Sequence, residues 1–413
     1  MLLELPRRTE IFGSVKIHEM QRVLKIDSGG FTNPRAKDIP FDVIKDVLKR
    51  FAIIVPVKDE KIHLLDGVLR AIPFDCTVIV VSNSKREAHD WYKLERNLVK
   101  NLHELAQQEL IIVHQKDPDL GFALYEAGYD SLLDENSVVR DGKAEGMIIG
   151  MLLAKALGKE YIGFADADNY VPGSVREYVI DYAAGFCMAE SPYSMVRLHW
   201  RYKPKVVADK LYFKKWGRVS ETTNKYLNLL MSLHTGFETR ILITGNAGEH
   251  ALTTKLADVL SYSTGYSIEP YHFICLFDNF GPGVTEFVDL DAATAGIEIF
   301  QIETLNPHIH EEKGEIHIRN MLLDSLQTIY HSRLCTEYVR DKILEELGDM
   351  LEWEEPRQNR IMPSFAGVDA LQFEEQLATT AESYARFQRG ALEGEEASSS
   401  LSTSFEKEST RTI

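Results

Sequence analysis

The chain has no Cys-x-x-Cys pair, no apolar run long enough to cross a bilayer and no surplus of basic residues. Its four cysteines, Cys76, Cys187, Cys275 and Cys335, are widely separated. That excludes a zinc-finger spacing and fits reduced thiols in a cytoplasmic protein better than a disulfide framework. The longest apolar stretch, MIIGMLLAKALG, is interrupted by Lys155 and falls short of the roughly 20 residues a span requires. The opening MLLELPRRTE carries charge where a secretory leader keeps an apolar run, so we expect no leader and no membrane partner. Against 46 basic residues stand 63 acidic ones, a formal net charge of −17 over 413 residues. Nonspecific nucleic-acid binding needs a cationic face that displaces counterions, so we expect no nucleic-acid partner either. An anionic ligand must instead meet positive charge concentrated locally. At 44% hydrophobic residues, the chain can bury one large core with an appendage.

What is present is an alternation of two patterns. FAIIVPV (51–57), CTVIVVSN (76–83) and LIIVHQ (110–115) are short runs rich in β-branched residues and read as buried parallel strands. Between them KIHLLDGVLRAI and DWYKLERNLVKNLHELAQQ have helical spacing, and the helical KAEGMIIGMLLAKALGKE precedes a fourth strand, YIGFADAD (161–168). The alternation predicts an α/β fold, a mainly parallel twisted sheet flanked by helices. Ligands gather at the carboxyl ends of such strands, where the chain puts Pro56, Lys58, Glu60, Asn83 and Gln115. Further on we expect helices over SVREYVIDYAAGFCMAE, over SETTNKYLNLLMSLHTGF with Ser220 as its cap, and over residues 314–331. Strands are expected at SMVRLHWRY, ILITGN and GIEIFQIETLNP, with AGEHALTTKLADVL as a helix. The Ser- and Glu-rich end, 391–413, has too few large apolar residues to order itself.

Two carboxylates, Asp166 and Asp168, close the fourth strand. Residues two apart in an extended strand face the same way, so both reach one site, and a divalent cation is the simplest partner for converging negative charge. The bland alternative has one Asp capping the next helix and the other solvated. A calcium loop counted from Asp166 fails, because Tyr170 and Val171 stand fifth and sixth, where the sixth position requires glycine. RDGKAEGM (140–147) puts Gly142 and Gly146 at a loosened helix start with Lys143 near its positive end, which suits a diphosphate. It is not a P-loop, since Gly-Lys-Ser/Thr is absent. NPHIHEEKGEIHI offers His308 and His310, either of which can complete a metal shell that two carboxylates leave open.

Positive charge collects in VRLHWRYKPK and KKWGRVSE. On an alternating strand Arg197, His199 and Arg201 share a face and make an anion clamp, unless the strand is a solvated edge. TGNAGEHA (244–251) makes a second anion site if Gly245, Asn246 and Ala247 lead into a helix with free N–H groups, with Glu249 and His250 on its first turn. Glu269, in GYSIEP, is a further polar group beside a turn.

Taken in order, IFGSVKIHEMQRVLKIDSG, VSNSKRE, HQKDP, GKAEGM, DADNYVPG, DYAAGF, VRLHWRYKPK, LYFKKWGRVSE, GNAGEHA, GYSIEP and IFQIETLNPHIHEEKGE resemble the mannosyl-3-phosphoglycerate synthase family over about residues 1–335. The resemblance implies a GT-A type nucleotide-sugar glycosyltransferase that moves mannose from GDP-mannose to the 2-hydroxyl of 3-phosphoglycerate with retention of configuration. It also implies a divalent cation, magnesium first, with manganese, cobalt or zinc as alternatives. By the same resemblance Asp168 ligates the metal with His310 as second ligand and His308 as fallback, and Asp166 meets the ribose or donor sugar. Lys143 shares in stabilising the departing GDP. Pro56, Lys58, Glu60, Asn83, Gln115 and Glu269 are assigned to the donor; Arg140, Arg197, Arg201, Arg218 and the 245–247 turn to the acceptor; Glu249 and His250 stand near the chemistry. The expected organisation is a catalytic domain over 1–335, with a donor half (50–175) and an acceptor half (176–335), then a peripheral helical segment (336–390) and a disordered tail (391–413). A homodimer is expected from the size and the family. The competing readings are a glucosyl-3-phosphoglycerate synthase and a catalytically silent sensor of nucleotide sugars.

Overall fold

In the strand FAIIVPV successive side chains point to opposite faces of the sheet, and both faces are buried. Phe51, Ile53, Val55 and Val57 pack into one core, and Ala52 and Ile54 into the other. Val78 and Val80 against Ile79 and Val81, and Leu110 and Ile112 against Ile111 and Val113, divide in the same way. This is why the runs are continuously apolar rather than alternating.

The computed structural model describes residues 2–23, 36–87, 89–200, 203–208, 210–214, 218–311, 314–351 and 355–388. The elements that build the site are, in chain order, β1 (Val15–Val23), β2 (Phe51–Val57), α1 (Ile62–Ala71), β3 (Thr77–Ser82), α2 (Trp91–Ala106), β4 (Leu110–His114), α3 (Lys143–Ala156), β5 (Tyr161–Phe164), α4 (Pro172–Phe186), β6 (Ser194–His199), α5 (Arg218–Thr235), β7 (His250–Thr253), α6 (Ile268–Phe280), β8 (Ile297–Glu303) and α7 (Glu315–Tyr330). The sheet runs β4-β3-β2-β5-β7-β6-β8-β1 and is extended at both edges by short strands. Neighbours pair in parallel, except that β7 lies antiparallel between β5 and β6. Helices α1, α2 and α4 cover one face, while α3, α5, α6 and α7 cover the other. The expected α/β architecture, a mostly parallel sheet flanked by helices, is the one observed. Among the described residues no helix is long and apolar enough to cross a membrane.

Four local expectations change. The strand expected over 161–168 ends at Phe164, so Asp166 and Asp168 lie in the turn beyond it and the two-residue alternation no longer governs them. ILITGN forms no strand: the backbone N–H groups of Ile241, Leu242 and Ile243 donate to Thr239 Oγ1, Asn228 Oδ1 and Gln301 Oε1, so side-chain oxygens replace a ladder. The stretch expected as a helix from Ala247 opens as β7, and only the short Thr254–Val259 is helical. Helix α5 begins at Arg218, which puts Ser220 inside its first turn rather than at its cap.

The segment expected to be peripheral and helical, 336–390, closes back onto the core. Its helix Glu337–Leu347 buries Val339, Ile343 and Leu347. Ile361–Met362 pairs with Tyr262–Ser263, the helix Ala370–Thr380 packs on α3, and Ala385–Phe387 adds an antiparallel edge to β4. Phe373 and Leu377, four apart, put an apolar stripe on that helix, and burying it holds the segment against α3. The tail 391–413 lies outside the described residues, as does Arg201; the side chain of Arg218 does too.

Candidate active site

The carboxyl ends of β2 and β3, Gln115 just past β4, the start of α3 and the turn after β5 face one cleft of about 920 Å³. Its opposite wall is the 246–249 loop, the 265–269 segment that opens α6, His308 and His310, and the first turns of α7. Pro56, Lys58, Glu60, Asn83, Gln115 and Lys143 line it, as do Asp166, Asp168, Asn246, Glu249, Glu269, His308 and His310. Residues spread over 250 positions of sequence thus share one space because parallel strands end on the same side of a sheet.

Lys143, the first residue of α3, is the cation at the centre. Its Nζ lies 2.8 Å from Asp166 Oδ1 and 3.3 Å from Glu269 Oε1. Burial works to lower the lysine pKa, but the charges of Asp166 and Glu269 outweigh it and hold the ammonium above its usual value. Gly248 passes close by: a Cβ there would stand 2.8 Å from Lys143 Nζ and 3.1 Å from Asp166 Oδ2, so only glycine leaves the ion pair its place. Gly146 does not loosen the helix start. A Cβ there would meet Gln115 Oε1 at 3.1 Å and Val81 at 3.6 Å, so the glycine lets α3 lie close against the strand ends. Gln115 in turn donates through Nε2 to the carbonyl of Arg140 at 2.6 Å, tethering the turn before Lys143.

Asp166, Glu249 and His308 each bring one potential ligand atom within 4.8 Å of the others, a group able to hold a metal ion. Glu249 is 2% exposed, and its Oε1 stands 3.0 Å from His308 Nδ1. Asn169 Nδ2 lies 3.4 Å from the same ring nitrogen, so Glu249 and Asn169 together fix the position of the imidazole. His308 rings against Trp200 and His310, with centroids 5.1 and 4.9 Å away. The histidine loop reaches this place through α4: Glu177 accepts from the backbone N–H groups of Leu305 and Asn306 at 2.7 and 2.9 Å, and Ser174 donates to the carbonyl of Pro307. A further bond from Tyr170 N to Ile309 O, 2.9 Å, joins the two-aspartate turn directly to the histidine segment. Within this cluster the aspartate is Asp166 and the imidazole His308, where the resemblance had put Asp168 and His310 first. With β5 ending at Phe164, Asp166 and Asp168 are no longer bound to face the same way. Asp168 and His310 remain in the lining of the same cleft.

The acceptor residues expected from sequence fare differently. Arg197 is fully buried and outside the cleft lining. Its guanidinium donates to the carbonyls of Thr244, Gly245 and Glu269 and lies over the Phe273 ring. It is an internal strut between the 244–245 loop and α6, not an anion clamp; β6 is a central strand, so the face we assigned to ligand is packed. Replacing Arg197 by methionine should leave those carbonyls unpaired and lower stability by about 3 kcal/mol, read as a shift in the urea midpoint. The 245–247 turn leads into no helix, and the N–H groups of Gly245 and Ala247 are taken by Asn224 Oδ1 and Thr244 O. Of that turn only Asn246 faces the cleft, with Nδ2 donating to Ser325 Oγ. His250 also points inward, packed on Phe164 and His272. Burial, then His272 and Arg197, hold it well below the usual histidine pKa, so it is neutral and offers no positive charge. Arg140 lies outside the lining.

Sequence reasoning missed the far wall. Tyr266, His317, Arg319, Asn320 and Asp324 line the cleft from α7 and the turn before α6. Asp324 is pushed up to about 6 by burial, with Glu145 adding to the shift. The available signal was the helical spacing of EIHIRNMLLDSLQ, in which His317, Asn320 and Asp324 recur three and four apart on one face.

The family described as mannosyl-3-phosphoglycerate synthase (osmo_MPGsynth) matches residues 5–377. The chain belongs to this family. A mannosyl-3-phosphoglycerate synthase of Pyrococcus furiosus is 53% identical over 394 residues, 94% of this chain and all of that protein. Another from Aeropyrum pernix is 39% identical over 393 residues, 93% of this chain and 99% of that protein. Similarity to the family therefore runs well past residue 335, where the sequence motifs had stopped, and takes in most of the segment that closes back onto the core. Among solved structures, a glucosyl-3-phosphoglycerate synthase from Mycobacterium tuberculosis in complex with Mn2+, UDP and phosphoglyceric acid superposes with a TM-score of 0.45 at 18% identity, over 69% of this chain and 82% of that one.

Proposed function

We propose that this chain transfers mannose from GDP-mannose to the 2-hydroxyl of 3-phosphoglycerate, in the cytoplasm, with retention of the α configuration and a divalent cation. The observation that carries the reading is Lys143, held charged between Asp166 and Glu269 in a cleft that also gathers Glu249 and His308. Membership of the family supports the choice of donor and acceptor.

Carboxylate oxygens and one imidazole are donors that fit magnesium or manganese, and Asp166, Glu249 and His308 are the residues that would hold the ion, with Asp168 lining the same cleft. When bound, it would supply Lewis-acid stabilisation of the leaving diphosphate. Glu249 and Asn169, 3.0 and 3.4 Å from Nδ1, limit how the His308 ring can turn. Lys143 offers the developing charge of the diphosphate a fixed ammonium that need not reorganise during the reaction. Lys58, Glu60 and Asn83 form the wall for the nucleoside, and Glu269 faces hydroxyl groups of the hexose. On the other side Ser220, Asn246 and Arg319 line the space left for a doubly anionic acceptor. The bond from C1 of mannose to the diphosphate breaks, one from C1 to the glycerate oxygen forms, and the hydroxyl proton passes to the departing diphosphate or to solvent.

The test is GDP release in a mixture of the protein, GDP-mannose, 3-phosphoglycerate and magnesium, each omitted in turn. Release should require all of them, and the product should show an α-mannosyl linkage by NMR. Equal release without 3-phosphoglycerate, or a faster reaction with GDP-glucose, would overturn the assignment.

A further inference from the structure

Behind the wall of Lys58, Glu60 and Asn83, and outside the cleft, α2 buries the carboxylate of Glu95 completely. A carboxylate in such a place is stable only if its neighbours hold it, and its neighbours are serines. The Ser84 hydroxyl donates to Glu95 Oε1 at 2.6 Å and accepts the backbone N–H of Asp59 at 2.7 Å. Ser84 is fixed on its other sides as well. Its N–H donates to Ser82 Oγ at 3.2 Å, and its carbonyl lies 2.8 Å from His114 Nε2. Since His114 Nδ1 accepts the N–H of Lys116, Nε2 carries the proton and donates. Burial lowers the pKa of His114 and raises that of Glu95 to about 7, the latter against the pull of the Ser82 and Ser84 hydroxyls.

At the far end of this chain of bonds is an unusual turn. Asp59 has φ of +54°, a conformation that residues with a Cβ seldom adopt. Its carboxylate accepts from Lys85 N at 2.8 Å. Lys58 and Glu60, on either side of it, both line the cleft. With Ser82 and Ser84 turned inward, Asn83 faces the cleft and donates to Asp141 at 3.0 Å.

We propose that Glu95 is a positioning residue for nucleotide binding: through the Ser84 hydroxyl it fixes the left-handed turn at Asp59, and so sets Lys58 and Glu60 against the nucleoside of the donor. The proposal rests on the nucleotide-sugar reading given above. Glu95 touches no substrate, so its removal should act on donor affinity and not on the chemical step.

The experiment is calorimetric titration of the full chain with GDP in the presence of magnesium, together with steady-state kinetics, for Glu95→Ala, Glu95→Gln and Ser84→Ala. Glu95→Ala and Ser84→Ala should weaken GDP binding by about tenfold, the effect of one lost buried hydrogen bond. KM for GDP-mannose should rise by the same factor, with kcat and KM for 3-phosphoglycerate within about twofold of wild type. Glu95→Gln, which still accepts from Ser84, should recover most of the loss. Should Glu95→Ala not fold, Ser84→Ala breaks the same relay with a far smaller change. Wild-type GDP affinity in Ser84→Ala, or an equal loss in kcat and in both KM values, would overturn the proposal. Wild-type protein titrated with GDP, UDP and ADP separates the two levels. If another nucleoside diphosphate binds best, the donor assignment falls and the variants are judged with that nucleotide, a tenfold loss supporting the relay and no loss overturning it. Wild type that binds none of them overturns both.

Discussion

Lys143→Met should lower kcat/KM by about a thousandfold, the scale found when one preorganised charge or donor is taken from a transition state. Two effects act together. The departing diphosphate loses its fixed cation, and Asp166 and Glu269, 2.8 and 3.3 Å from the ammonium, are left without the charge between them. Lys143→Arg should not rescue, because a planar guanidinium cannot sit as a point charge between the two carboxylates beside Gly248. The pH dependence follows from the raised pKa. A lysine raised by carboxylates contributes its stabilisation fully below the ordinary lysine value, about 10.4, and loses it only as pH rises through the still higher folded value. Activity between pH 7 and 9 should therefore show no limb from Lys143, and the stabilisation that Lys143 contributes should be lost only in strong alkali. Rates of GDP release over that range, with thermal unfolding of each variant as control, check both points. A variant keeping a tenth of the wild-type rate would remove Lys143 from the mechanism.

His308→Ala should weaken binding of the divalent ion by about 10- to 100-fold, as loss of a ligand or of its orienting partner does, and lower turnover at fixed magnesium accordingly. His310→Ala should change either quantity by less than about tenfold. The difference follows from geometry: His308 shares a 4.8 Å cluster with Asp166 and Glu249 and is buried against Trp200, whereas His310 lies next to it in the cleft lining. Manganese binding followed by electron paramagnetic resonance reads the affinity without relying on activity. The reverse order of effects would return His310 to the place that the resemblance gave it.

The fold was largely legible because its signal is local. Strands buried on both faces must be continuously apolar, so FAIIVPV, TVIVVS and LIIVH announce themselves, and the helices between them carry ordinary amphipathic spacing. The residues at the strand ends were legible for the same reason: once the strands are known, Pro56, Asn83, Gln115 and Lys143 have nowhere to go but the cleft. Arg197 was misread because a charged strand residue looks the same in sequence whether it faces ligand or three carbonyls, and only the burial of β6 between β7 and β8 decides. The 245–247 turn was misread because the side-chain oxygen of Asn224, 21 positions away, takes the N–H group that seemed free.

By itself the sequence determined the alternating α/β layers, the net negative charge and the family. Tertiary structure alone brought Asp166 and His308 into one cluster, since Glu177 of α4 grips the loop that carries His308. Periodicity is written in nearest neighbours along the chain, but a site is made of side chains whose distances are set by the packing of elements far apart in it.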